Sequence, residues 1–184
     1  MLDRLGLRLS SPEERATLLD EACGASGDFE IARAELADLE KQRAEYRLEC
    51  EGDLVNVSLD ETSAGFIYGI NGPWIPDLPE FHATTRVHHV VMPHPFIDTS
   101  TIEIESPDGF VPEEAPQPVK YQSPYGSYGL QITKSKTGYT VERAVAVTAL
   151  FVAPENYATM RGFFEKVRTA DRIELRFRRE AGGS

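Results

Sequence analysis

His82, His88, His89 and His94 lie close together in the chain and are the first candidates for chemistry, because neutral imidazole is a common ligand for zinc and related metals. With acids nearby, such a set could activate water for hydrolysis. If His88 and His89 lie on a strand they point to opposite faces, so at most one of them joins His82 or His94. Ordinary, partly exposed histidines are the simpler reading, and neither a metal ligand nor a cofactor is assigned. Glu103 and Glu105 would share one face of a strand, an arrangement that suits acid–base work. In a chain with 30 Asp and Glu such pairs arise by chance, and a solvated face accounts for them.

A catalytic cysteine needs a neighbouring base and usually a helix N-terminus to hold it as thiolate. Cys23 falls near the end of an expected helix and Cys50 within a charged strand, so neither position favours that form. The sequence alone leaves open whether these two cysteines pair. No GxSxG elbow is present for a serine nucleophile. Gly126-Ser127-Tyr128-Gly129 lacks the lysine and the glycine spacing of a phosphate loop and reads as a turn or bulge. No catalytic residue is assigned. Trp74, Tyr125 and Tyr128 lie in segments rich in proline and glycine, where exposed aromatics can stack on sugars or peptides. They are the candidate ligand-binding residues, against the plainer reading that these loops fold back onto their own domain.

The elements that would position these residues are mostly strands. Ser11-Pro12-Glu13-Glu14 has a capping serine, a first-turn proline and Glu at N3, which predicts a short helix ending at Gly24. Residues 28–51 have helical composition but partly alternating polarity, strict over Ala44 to Cys50, which predicts strands 29–36 and 43–51 around a polar turn at 38–42. One long helix is the rival there. Strands are expected from Leu54 to Leu59, over Gly65–Ile70, from Arg86 to Met92 and over Thr99–Glu105, with a proline-rich loop at 71–79. Pro112, Pro116 and Pro118 make a stiff connector before a strand at 119–122. Segments 127–134 and 139–152 form a hairpin whose link, 134–138, supplies the glycine a turn needs. In its second arm Val141, Arg143, Val145, Val147 and Ala149 face one way. Pro154 starts a helix with Tyr157, Met160, Phe164 and Val167 on one face, and Ile173, Leu175 and Phe177 alternate in a last strand.

The chain has 184 residues, with 19 Lys+Arg against 30 Asp+Glu, a formal charge of −11 and a pI near 4.8. That balance excludes a phosphate-backbone partner on composition, so no nucleic-acid binding is expected. The longest uncharged stretch, Val87 to Ile97, is too short and too rich in histidine and proline to cross a membrane. The N-terminal segment lacks the basic and apolar regions of a signal peptide. The expected fold is mainly β: a β-sandwich-like domain with an N-terminal helix and one helix near the C-terminus packed on a sheet. The expected boundaries are a helical segment 1–25, the sandwich-like domain 26–180 and a loose tail 181–184.

Several short motifs occur in a fixed order: Pro118 to Tyr128 with its SPYGSY string, Val141-Glu142-Arg143, Ala153-Pro154-Glu155-Asn156-Tyr157, Arg161-Gly162-Phe163-Phe164 and Ala170-Asp171-Arg172. In this order the chain resembles the C-terminal region of bacterial transglutaminase-like proteins, loosely from about residue 9 and tightly from about residue 99. In that family a domain of unknown function and a papain-like transglutaminase core precede a β-rich domain. Tyr125 stands where the family commonly has Phe. The resemblance implies strands rather than a helix over 28–51 and a place in the periplasm or cell envelope. It implies a non-catalytic accessory or interaction domain, partnered by a transglutaminase-like core or another envelope protein. The family's catalytic residues lie in the core, and no segment here matches it. A carbohydrate- or peptide-binding module and a metal-dependent hydrolase are the alternatives.

Overall fold

The computed structural model describes residues 11–23, 29–37, 47–54, 65–70, 75 and 78–180. Contacts divide the chain into two compact units, residues 1–58 with 72–76, and residues 59–71 with 77–184. The sequence reading placed the boundary at residue 25. The contacts group the first hairpin with the N-terminal helix, and among the described residues its two strands pair only with each other.

In the first unit helix α1 spans Pro12–Ala22 and starts as its capping motif dictates. The Ser11 backbone N–H donates to Glu14 Oε2 at 2.8 Å, and the Glu14 N–H donates to Ser11 Oγ at 3.2 Å. The bond from the Ser11 backbone holds the exposed Glu14 carboxyl below its usual range. Strands β1 (Phe29–Ala37) and β2 (Arg47–Leu54) form an antiparallel hairpin, with Leu36 opposite Leu48 and Ala34 opposite Cys50. Alternation thus prevails over helical composition across this stretch, and the long-helix rival falls. A disulfide joins Cys23, at the helix C-cap, to Cys50 in β2, with Cα atoms 5.7 Å apart. The turn expected at 38–42 and the strand expected beyond Leu54 lie outside the described residues.

In the second unit β3 is Gly65–Gly69, β4 Val90–Val91, β5 Phe96–Glu105, β6 Phe110–Pro112, β7 Val119–Ser123, β8 Gly126–Lys134 and β9 Gly138–Val147. Then follow β10 (Phe151–Val152), a 3-10 turn at Pro154–Asn156, helix α2 (Tyr157–Ala170) and β11 (Glu174–Arg179). Four antiparallel strands make the main sheet in the order β5-β9-β8-β7. A second sheet has the order β3-β11-β6, and β4 pairs with β10. Mainly β structure, with a helix near the C-terminus laid on a sheet, is the architecture expected from the sequence.

The inner face of the main sheet follows the predicted alternation. Val141, Val145 and Val147 of β9 and Leu130 and Ile132 of β8 are buried, and α2 packs on β7 and β8. The α2 side chains Tyr157, Met160, Phe163, Phe164 and Val167 recur at three and four residues and are all buried. Tyr139 of β9 meets Phe177 of β11 edge-on at 5.1 Å and donates its hydroxyl to Arg176 O at 2.6 Å. The two sheets are therefore closed over one apolar layer.

Some expected elements are corrected. The strand expected over 86–92 is only Val90–Val91, because its partner β10 offers only two residues. His88 therefore lies in a bend and His89 just before β4, not on two faces of a strand, and both are exposed. The long second arm of the hairpin ends at Val147, where Thr148 turns its N–H to Tyr125 O at 3.0 Å. Strand β6, ending at Pro112, was read as part of a proline-stiffened connector. Gly138 is not a turn glycine: it is the first residue of β9, where an added Cβ would sit 1.9 Å from Ile104 O.

Candidate functional site

A guanidinium buried between two sheets costs several kcal/mol unless its donors are satisfied. Arg143 is such a residue: it alternates with Val141 and Val145 on the inner face of β9, and its side chain has no exposure to solvent. Asp171 meets it from the C-cap of α2. Arg143 Nε donates to Asp171 Oδ1 at 2.8 Å and Nη2 to Oδ2 at 3.0 Å, the two-pronged geometry that matches a carboxylate best. Nη1 donates to Asp98 Oδ1 of β5 at 3.0 Å. Tyr128 of β8 donates its hydroxyl to Asp171 Oδ1 at 2.7 Å, and its ring lies 5.7 Å from the Arg143 guanidinium carbon. One polar cluster therefore joins β5, β8, β9 and the end of α2.

Electrostatics fix what this cluster can do. Burial raises the Tyr128 phenol far above its ordinary value, and the hydrogen bond to Asp171 adds to this, so the hydroxyl is held as a donor. Burial raises the Asp98 carboxyl as well, and the negative charge of Asp171 pushes the same way, against the attraction of Arg143. For Arg143 burial acts downward, but the hydrogen bonds and charge of Asp171 outweigh it, and the guanidinium stays charged. The group is a permanently charged tie whose donors are turned inward. Its chemistry is that of holding strands and helix in register.

Of the candidate aromatics, the structure places Tyr128 in strand β8, 3% exposed, and not in a loop open to ligand. Tyr125 is half-buried in the two-residue turn between β7 and β8, where its N–H donates to Ser123 Oγ at 3.1 Å. Trp74 lies outside the described residues, so these residues do not come together as one described site. His82 is exposed and faces Glu80 at 3.2 Å, and His88, His89 and His94 are exposed too. Among the described residues no group of three or more His, Cys, Asp and Glu is gathered to hold a metal ion. Glu103 and Glu105 lie on the outer, solvated face of β5. Gly126-Ser127-Tyr128-Gly129 is neither turn nor bulge but the start of β8, and a Cβ on Gly126 would meet Ala146 O at 2.0 Å.

What the domain presents outward is apolar in places. Val91 and Phe151 stand directly opposite each other in the β4–β10 ribbon and are 61% and 70% exposed. Antiparallel partners project to the same side, so the pair makes one patch. Ile97, 70% exposed, borders a shallow trough of about 440 Å³ on the outer face of the main sheet, floored by Gly129, Ala144 and Ala146 and edged by Lys120 and Gln122.

Fold and cluster together define a small β domain with a helix clamped to one sheet by a buried ion pair. The chain belongs to the family described as the domain of unknown function with a solved structure, DUF3858, whose model matches residues 68–177. Every member of the Tyr128, Arg143, Asp171 and Asp98 cluster falls within that span. Among solved structures the chain is similar to that of a putative protease from Parabacteroides distasonis ATCC 8503, with 12% identity and a TM-score of 0.50. The match covers 72% of this chain and 30% of that one, so this chain spans less than a third of the protein it resembles. No curated protein matches it.

Proposed function

We propose that this chain is a non-catalytic accessory domain that works beside a transglutaminase-like core in the bacterial cell envelope. The order of its short motifs supports the association, and the side chains those motifs supply serve the fold: Tyr128, Arg143, Tyr157, Phe164 and Asp171 are all turned inward. The observation that carries an interaction role is the exposed Val91–Phe151 pair, because two large apolar side chains held side by side in water gain free energy when a partner covers them. A fold that recurs as 30% of a longer chain fits an accessory domain. The Cys23–Cys50 disulfide fits an oxidising compartment such as the periplasm.

The test is to mix the purified chain with the separately expressed core and follow complex formation by calorimetry together with core activity. Binding that falls at least about tenfold in the V91S/F151S variant is the expected result, since two apolar side chains of this size carry more than 1.4 kcal/mol when covered. No complex and no change in core activity with the unaltered chain refutes the proposal.

A further inference from the structure

The described elements of the N-terminal unit are ones that are marginal on their own. Helix α1 has 11 residues, below the length at which an isolated helix is stable in water. The only sheet described in this unit is the β1–β2 hairpin, and a two-stranded hairpin alone is marginal. Among the residues of this unit whose burial is described only Cys23 is buried, at 1% exposure, while Glu30–Ala37 and Arg47–Asp53 are half-buried or exposed. The disulfide to Cys50 ties the end of α1 to the hairpin across 27 positions of sequence. The C-terminal unit differs: it holds the apolar layer between its sheets and α2, and neither cysteine belongs to it.

We propose that the Cys23–Cys50 disulfide is a redox gate on the N-terminal unit, which is folded when the bond is made and open when it is reduced, with the C-terminal unit folded in both states. Reduction by a dithiol is a balanced exchange: the reductant supplies two electrons and two protons, the protein S–S bond becomes two thiols, and the reductant closes into its own disulfide. An oxidant of the disulfide class reverses it. The gate makes folding of the N-terminal unit depend on the compartment and leaves folding of the C-terminal unit independent of it.

The experiment is hydrogen exchange of the whole chain, read by mass spectrometry of peptides, in the oxidised state and after dithiothreitol in native buffer, with alkylation counting the thiols released. Closing a loop of this length restrains the open state enough that reduction should lower protection of 12–22, 29–37 and 47–54 by about 300-fold, or to the unfolded limit. Protection over β5, β8, β9 and α2 should not change. If two thiols appear and the first three segments keep their protection, or if both units lose it together, the proposal is overturned. If dithiothreitol releases no thiol, the C23S/C50S variant is measured by the same readings, and the same two outcomes decide.

Discussion

Replacing Asp171 with alanine leaves the Arg143 guanidinium buried beside Asp98, whose side chain is 21% exposed and receives one of its hydrogen bonds. Two charge-assisted bonds to Arg143 vanish, and the Tyr128 hydroxyl loses its acceptor. Breaking a buried pair by removing one partner costs about 3–5 kcal/mol, most of it the penalty for a charge left without its counter-ion. For a unit of this size that is a fall in melting temperature of roughly 12–20 °C. The R143M/D171L double variant removes both charges and fills the space with apolar atoms; the Tyr128 hydroxyl is left without its acceptor, so the cost should be about 1–3 kcal/mol, still far below the sum of its singles. The assay is thermal unfolding followed by tyrosine near-ultraviolet circular dichroism, which reports on Tyr68, Tyr121, Tyr125, Tyr128, Tyr139 and Tyr157 of the C-terminal unit. An Asp171→Ala cost below about 1 kcal/mol, or a double variant as unstable as the two singles added together, refutes the claim that the cluster is one coupled tie.

Three further outcomes follow from the geometry of the main sheet. Because the Tyr128 phenol is raised in the folded state, its share of stability is complete below the unfolded tyrosine value near pH 10 and is lost as pH rises above it, at about 1.4 kcal/mol per pH unit. Tyr128→Phe should cost about 1 kcal/mol at neutral pH and flatten the alkaline limb of the stability curve, and an unchanged limb in urea titrations at pH 9 to 11 contradicts this. Gly138→Ala would bring a methyl against the backbone of Ile104 and Glu105, which cannot yield without parting β5 from β9, so a loss of about 2–4 kcal/mol is expected. Gly129→Ala, whose methyl meets nothing within 4 Å, should fall within about 0.5 kcal/mol of the parent in the same melts.

Where side chains alternate by burial, the fold was legible. The apolar face of β9, the face of α2 and the Ser11 cap of α1 could all be read from local order, because each depends on residues one to four positions apart. Strand ends were harder to read. The length of β4 is set by β10, some sixty residues away, and β6 exists only because β11 comes beside it. The central cluster was half legible. Arg143 stood on a face otherwise apolar, a position that demands a buried counter-charge, but nothing near it in sequence named Asp171, which is 28 residues on. Tyr128 was misplaced for a related reason: its neighbours Gly126 and Gly129 suggest a loop, and the need for Gly126 comes from the close approach of Ala146 on the adjacent strand. Likewise the cysteines carried no local signal, since their pairing rests on how α1 lies against β1.

The second sheet has the order β3-β11-β6, so its central strand is the latest of the three to be made. During synthesis β3 and β6 leave the ribosome well before Glu174–Arg179, and each must wait with its backbone N–H and C=O groups unpaired by the strand that later joins them. In the main sheet β7, β8 and β9 follow one another and pair with their neighbours as they emerge, and only β5 waits, until β9 is made. Translation thus sets an order of assembly: a meander that can form on the nascent chain, then a sheet that is completed only after Glu174–Arg179 has emerged. In the interval β3 and β6 are open to pairing with other chains, which makes this the stage at which a chaperone that shields bare strands would matter most.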